Sequence, residues 1–508
     1  MYFKSKGKIL FMLEEMISVH DKNQFEIKLD YKLDTSKEKT VYNIETYIFL
    51  PTSLDIGKGN YKKEDFYSDL KSYIRFKTPT VLLKDIDTGA DSPFGKLKNA
   101  ITAMVKNKDK VTIEKYEYHI KMFSSILKSS LRDHVEYIKN TSDDDCCDHL
   151  IKQYLTCVKK LLVDYRELVH ELSVPTVESK KFAVYLFGDE YISHLVENYS
   201  YWLMRIIKDK GGNKVSLYGK ELLEFVNTEH KYRKEKRYPS VPGSSVENEE
   251  TLYRRSVFKK YMESILFLDI RTEKEGKLVE QIIFGIAAGI SMIFATGAAF
   301  WTQMQYGGNL STTFFVVLVI SYMFKDRIKE LLRQYFMGKI EHFFYDHKTS
   351  IYSDPVNKIG VCRESFDFVN ESKAPPAIMK LRNRDHITGI DNGWFGEQLI
   401  MYRKEITIYS EMFKNLHHSY NIEGINDIMR FNVWRFLFKM DNPEKSLYLP
   451  DEKELYKKVY GERVYHINMI IKYSSNDQTT YERYRIVLNR NGLKRIEEVV
   501  TDKETTAV

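Results

Sequence analysis

Between Gln281 and Phe324 the chain carries no Asp, Glu, Lys or Arg, although these four residues make up 29% of the whole. No other feature restricts the fold so strongly, because a core helix of a water-soluble domain keeps a polar face and is rarely this long without a charge. Ile282 to Trp301 is apolar or small throughout and would rise about 30 Å as a helix, the thickness of the hydrocarbon core of a bilayer. "QMQYGGNLSTT" (Gln303 to Thr313) interrupts it, with Gly307, Gly308 and Asn309 supplying residues that suit a reversal. From about Asn309 to Phe324 a second run of roughly 24 Å follows, slightly short for a span and lengthened by snorkelling of Lys325 and Arg327. The expectation is a two-helix transmembrane hairpin over 278–324, with Trp301, Tyr306, Tyr322, Lys325 and Arg327 at the membrane interfaces.

Orientation follows from the basic residues. Arg271, Lys274 and Lys277 precede the first span, Lys325, Arg327, Lys329 and Arg333 follow the second, and the turn holds neither Lys nor Arg. Both large flanks, and with them both termini, are therefore expected on the cytoplasmic side of a cell inner membrane crossed twice. The four cysteines agree, since Cys146, Cys147, Cys157 and Cys362 form no disulfide framework. "KSKGKILFMLEEM" near the start has too short an apolar run for a signal peptide. The layout resembles that of bacterial inner-membrane proteins with cytoplasmic domains, a likeness that carries no site residues.

A chain of 508 residues, with a soluble-like mean hydropathy of −0.42, exceeds one compact core. "FEIKLDYKL" (Phe25 to Leu33) and "VYNIETYIFL" (Val41 to Leu50) alternate on either side of a polar turn, an amphipathic β-hairpin within an N-terminal region 1–100 that must pack on something else. From about Val111 the period becomes helical. Leu150, Tyr154, Cys157, Leu161, Tyr165 and Val169 mark one face, and 101–275 reads as a cytoplasmic helical bundle with a linker at 238–248. Its final helix, Glu247 to about Ile270, should run through Gly276 towards the membrane. Beyond the second span Phe324, Ile328, Leu331, Leu332, Tyr335, Phe336, Ile340, Phe343 and Phe344 continue a stripe, an amphipathic stalk helix over 325–348. Residues 349–508 read as a cytoplasmic, antiparallel β-rich domain, with "VYHINMIIKY", "YERYRIVL" and the Asn491-Gly492 turn as its clearest signals. The fold class expected is an α+β membrane protein whose C-terminal sheet is completed by the N-terminal hairpin.

The chemistry is sparse. Asp143, Asp144, Asp145, Cys146, Cys147, Asp148 and His149 crowd together, but zinc sites favour separated Cys pairs, and acids at a helix start complement its dipole. His342 and Asp346, one helical turn apart beside His347, lack the third and fourth ligands of a working metal site. His417 and His418 have no HExxH or triad context, and Asp391 to Glu397 reads as a turn displaying Trp394. No catalytic residue, metal or cofactor is expected. Lys231, Arg233, Lys234, Lys236 and Arg237 are candidates for contact with anionic lipid, whereas a net charge of +7 is modest for this length and disfavours nucleic acid as a partner. Gly285 and Gly289, with Ser291, Ala295 and Ala299, supply small residues for transmembrane helix packing, inside the hairpin in the first instance and between copies of a homo-oligomer in the second.

These features favour a membrane-anchored, non-enzymatic protein whose cytoplasmic domains bind a protein partner or sense a signal. A second reading is an oligomerising two-span channel or membrane-perturbing effector, weakened because the spans offer only Ser291, Thr296, Ser311, Thr312, Thr313 and Ser321 as polar lining. A metal-dependent membrane hydrolase built on His342, Asp346 and His347 ranks last.

Overall fold

The structure is a computed structural model that describes residues 17–107, 109–175, 177–211, 214–239, 241–243, 245–305, 312–340, 344–382, 396–414, 420–475 and 478–499. The chain divides into two compact units: Met1–Ile74, Leu268–Leu416 and Ile425–Val508 form the first, Arg75–Phe267 and His417–Gly424 the second. The architecture is mixed α+β, with a helical region and several sheets.

The first unit is built on strands. β1 (Ile17–Val19), β2 (Gln24–Lys32), β4 (Leu70–Phe76) and β9 (Gly424–Asn432) form a sheet in the order β1-β2-β9-β4. An eight-stranded sheet takes β3 (Lys39–Pro51), β5 (Asp269–Lys274), β6 (His347–Tyr352), β7 (Lys358–Val369), β8 (Glu397–Tyr409), β12 (Tyr465–Ser475), β13 (Gln478–Asn489) and β14 (Gly492–Glu498) in the order β14-β13-β12-β3-β8-β7-β6-β5. Every neighbouring pair in it is antiparallel. The N-terminal strands thus complete the C-terminal sheets, but not as a hairpin: β2 and β3 do not pair and belong to different sheets. Their alternation is real, with Phe25, Ile27, Leu29 and Tyr31 buried in β2, and each strand finds partners far away in sequence. Tyr31 of β2 packs across onto Tyr42 of β3, ring centres 5.2 Å apart, so the two strands meet face to face. Tyr47 to Leu50 of β3 are buried on both faces, because Tyr47 and Phe49 also pack with Ile378 and Leu381 of α11 (Pro376–Arg382). That double covering explains why "YIFL" is a continuous apolar run.

Other expectations are revised here. The segment Arg430 to Met440, whose pattern suits a strand or a helix, holds both: the end of β9 and then a short helix, Trp434–Phe438. The reversal between β13 and β14 sits one residue earlier than Asn491-Gly492, since Asn489 pairs with Gly492. Gly492 has φ +136°, and a Cβ there would lie 2.5 Å from the Lys22 carbonyl oxygen, so only glycine fits. β10 (Glu444–Asp451) and β11 (Leu455–Glu462) make a separate two-stranded ribbon, and the short helix α1 (Lys63–Asp69) leads directly into β4.

The second unit is a helical bundle of α2 (Pro93–Lys106), α3 (Lys110–Asn140), α4 (Asp144–Glu167), α5 (Val169–Leu172), α6 (Ser179–Lys210), α7 (Lys214–Glu235) and α8 (Ser245–Glu263). Side-chain caps fix three starts: Ser92, Asp109 and Asp143 accept hydrogen bonds from the amides of Gly95, Thr112 and Asp145. Ile120, Phe123, Leu127, Leu131 and Val135 line the buried face of α3 at spacings of three and four. The helix expected over Glu247 to Ile270 ends at Glu263, and Asp269–Lys274 is instead the edge strand β5 of the first unit. Pairing with β6 accounts for the change, since every side chain of β5 is exposed and no burial pattern sets it apart from a solvated helix end.

Candidate membrane-inserting hairpin

Between β5 and β6 the chain runs through two long helices, α9 (Lys277–Gln305) and α10 (Thr312–Ile340). β5 and β6 are adjacent antiparallel strands, and their last pair, Lys274 with His347, stands at the foot of the helices. The helical pair is therefore the connection of a β-hairpin. Gly276, at φ +80°, turns the chain out of β5 beneath the ring of Phe344. Glu275 ties the foot together: its carboxylate accepts from the Tyr345 amide at 3.2 Å and pairs with Arg363 of β7 at 3.0 Å. Arg363 in turn reaches Glu405 of β8 at 3.0 Å. Three strands thus hold the base of the helices.

The stalk helix expected to reach residue 348 ends as α10 at Ile340. His342 and Phe343 lie outside the described residues, Asp346 sits in the turn before β6, and His347 is its first residue. Asp346 accepts hydrogen bonds from Lys63 Nζ at 2.8 Å, Tyr67 Oη at 3.0 Å and the Phe366 amide at 2.7 Å, which leaves it a structural anchor. His347 packs edge-on to Tyr67, ring centres 4.3 Å apart.

The seam between α9 and α10 is lined by small and polar side chains. Ile283, Ala287, Ser291 and Thr302 of α9 and Ser321 of α10 are buried, and Ala295 and Ala299 are half-buried. Ser291, Thr302 and Ser321 each return a hydroxyl to a backbone carbonyl of their own helix, so no hydroxyl is stranded. Gly285 and Gly289 do not take part: a Cβ on either would meet nothing within 4 Å. This corrects their expected role inside the hairpin. The four-residue spacing is the same, but rotation along α9 turns the 287–291–295 row towards α10 and the 285–289 row away.

The outer surface of α9 is apolar and bare. Ile282, Ile286, Ile290, Ile293 at 74%, Phe300 and Trp301 at 66% are exposed, and of its most apolar stretch only 17% is buried within the protein. Among the described residues α9 is the single helix long and apolar enough to cross a membrane. α10 differs because its uncharged run stops at Phe324. Tyr322 is exposed, Lys325 is half-buried with its ammonium 3.8 Å from the Tyr322 ring centre, and Arg327 is exposed. Tyr306 lies outside the described residues.

The basic segment at the end of α7 is divided. Lys231, Lys234, Lys236 and Arg237 face solvent, but Arg233 is 0% exposed, which removes it as a lipid contact. Its guanidinium donates to Ser193 Oγ at 2.7 Å and pairs with Glu197. Around it the helices enclose a dense ionic network that periodicity alone does not show. Arg166 is bidentate to Glu229, with contacts of 3.0 and 2.7 Å, and Arg254 is bidentate to Glu190, both at 2.8 Å. Four arginines, counting Arg255, face four acids, counting Asp189, so the cluster is charge-balanced and bundle-holding. The sequence signal was Asp189, Glu190, His194 and Glu197 in a helix otherwise rich in apolar residues.

A second buried centre joins the four-stranded and eight-stranded sheets of the first unit. Lys404 of β8, 0% exposed, reaches Asp427 of β9 at 2.5 Å and Glu364 of β7 at 2.9 Å, and Ser72 donates to Asp427 at 2.8 Å. Burial pushes the Cys362 thiol beside it well up, which makes it a poor nucleophile. The acidic cluster at 143–148 serves as the α4 cap, with Cys147 in the bundle core and Cys146 half-exposed. In the second unit a cleft of about 770 Å³ is lined by Asp87, Lys98, Lys160, Asp164, Glu167 and His170, among others. There Lys160 binds Asp87 at 2.6 Å, while burial and the neighbouring Asp87 raise the Asp164 carboxyl. Among the described residues no group of three or more His, Cys, Asp or Glu side chains is placed to hold a metal ion. His417, His418 and Trp394 lie outside them.

No family model matches the chain, and neither a curated protein nor a solved structure does.

Proposed function

We propose that this is a membrane-anchored, non-enzymatic protein whose α9–α10 hairpin enters the bilayer of a cell inner membrane, leaving the sheets and the helical bundle in the cytoplasm to bind a protein partner or sense a signal. The observation that carries this reading is the bare outer face of α9. Burial of a large apolar side chain away from water stabilises by roughly 1.5–3 kcal/mol, and α9 presents a full row of them that none of the described residues covers. The two-span topology with both flanks on one side is supported by the antiparallel β5–β6 pair, since the chain leaves and re-enters a single sheet at neighbouring strands. The basic residues at that foot, Arg271, Lys274 and Lys277, favour the cytoplasmic side, and the stretch 303–313 between the helices holds neither Lys nor Arg. Lys231, Lys234, Lys236 and Arg237 remain available to an anionic headgroup surface.

Membrane fractionation tests this reading. The full-length chain is expected to float with liposomes and to resist alkaline carbonate, and replacing Ile286, Ile290 and Ile293 by Asp should abolish both. Recovery of the unaltered chain in the carbonate supernatant would refute it.

A further inference from the structure

The two helices of the hairpin are mismatched in depth. The Arg333 guanidinium lies 3.9 Å from the ring centre of Phe284, and the helices end towards each other at Gln305 and Thr312. Both relations give the same antiparallel register. In it Lys325 stands level with Met292, Arg327 with Ile290 and Lys329 with Ala288. α9 is uncharged from Gln281 to its end, whereas α10 becomes charged beyond Phe324, only about 20 Å below Thr312.

Shallow insertion of the tip alone does not resolve the mismatch. Gln303 and Gln305 are exposed at the end of α9, and any reversal between antiparallel helices leaves backbone groups outside helical hydrogen bonding, which hydrocarbon does not tolerate. Trp301 beside the turn belongs at an interface. With the turn in water on the far side, about twenty residues of each helix lie within the hydrocarbon. On α9 these are Ile282 to Trp301. On α10 the same depth includes Lys325, Asp326, Arg327, Lys329 and Glu330, of which the last four are exposed. Ionisable side chains at that depth face water or one another. Glu330 reaches Arg333 at 4.0 Å, which leaves most of the row to be hydrated.

We propose that several copies of this chain assemble in the bilayer with α9 towards lipid and α10 inward, enclosing a water-filled ion path. The half nearer β5 and β6 is lined by the charged row, and the far half by Val316, Val319 and Met323, all exposed on α10. Each copy contributes four basic and two acidic residues between Lys325 and Arg333, so the path favours small inorganic anions. The inference rests on the membrane reading and adds to it an occupant for the α10 face, a second copy of this chain, and a permeant class.

The test is the conductance of the purified full-length chain in planar bilayers across a potassium chloride gradient. Discrete steps are expected, with a reversal potential displaced towards that of chloride. Arg327→Glu with Lys329→Glu should move it towards potassium, and the milder Lys329→Gln should shift it part of the way, which guards against a misfolded double variant. Protein that floats with liposomes yet conducts nothing overturns the inference and leaves the anchor standing, whereas protein that fails to float overturns the anchor itself. A conductance whose reversal potential ignores these substitutions also overturns the inference.

Discussion

Lys404 shows what a single residue does in this fold. Burial opposes its charge, yet Asp427 and Glu364 outweigh that and raise the ammonium well above its usual value, so it is held protonated between the sheets. Removing one partner of a buried pair leaves the other charge uncompensated, typically at a cost of about 3–5 kcal/mol, whereas replacing all partners by neutral groups is close to neutral. Lys404→Met is therefore expected to lower the unfolding free energy of the first unit by that amount, read as a fall in its urea midpoint. Adding Glu364→Gln and Asp427→Asn should recover much of it. An unchanged midpoint for the single variant would mean that the pair contributes nothing. In the sequence, "MYRKEITIY" alternates so that Lys404 shares a face with Tyr402 and Ile406, and a lysine in such a place reads as a solvated edge. Only the opposing Asp427, brought from another sheet, shows otherwise.

Several titratable groups of the second unit lie inside its helical bundle, and this sets its response to acid. Burial, with Lys96 and Lys115 nearby, lowers His119 to about 4, and burial also lowers His134 and His194. Unfolding returns each to near 6.5, so the unfolded chain binds more protons below that value. Stability is fully present above about pH 6.5 and is lost as pH falls towards 4. Glu197, where burial is outweighed by His194 lying 3.6 Å away, by the charge of Arg233 and by the hydrogen bond with His230, is held down to about 2, and adds a loss of the same sign below its ordinary 4.5. The thermal midpoint of the helical signal in circular dichroism should therefore decline from pH 6.5 downwards, before most carboxylates titrate. His119→Gln should flatten the first part of that decline. A midpoint constant between pH 6.5 and 5 would show that these imidazoles are not held neutral.

At the scale of the molecule, a continuous sheet is assembled from distant chain segments, and the apolar hairpin is inserted at one end of it. β3 lies between β12 and β8, so residues near the start close the core of the C-terminal sheet. The hairpin adds no strand: β5 and β6 would pair equally well across a short turn. Joining Lys274 to His347 through Asn-Gly, a favoured two-residue hairpin turn, should yield a chain that stays in the supernatant and keeps its β-sheet circular dichroism. An unfolded or aggregated product would show that α9 and α10 hold up the sheet.

The local signals were legible because they depend on near neighbours. The uncharged window marked α9, alternation marked β2, β12 and β13, helical spacing marked α3 and α4, and the Asp cluster marked a helix start. Pairing was not legible. "FEIKLDYKL" and "VYNIETYIFL" look like two arms of one hairpin, yet β2 and β3 part into separate sheets because a strand's period specifies which face is buried but not which neighbour supplies its hydrogen bonds. Arg233 and Gly289 taught the same lesson on helices, since rotation about the axis decides whether a basic residue meets lipid or Glu197, and whether a glycine meets a partner helix or open space. What the sequence by itself determined was the type of each element and the presence of a long apolar stretch, both set by side-chain chemistry within a few residues. What only the tertiary structure decided was the depth register of α9 against α10, the buried charge centres and the strand order, because these depend on contacts between residues far apart in the chain.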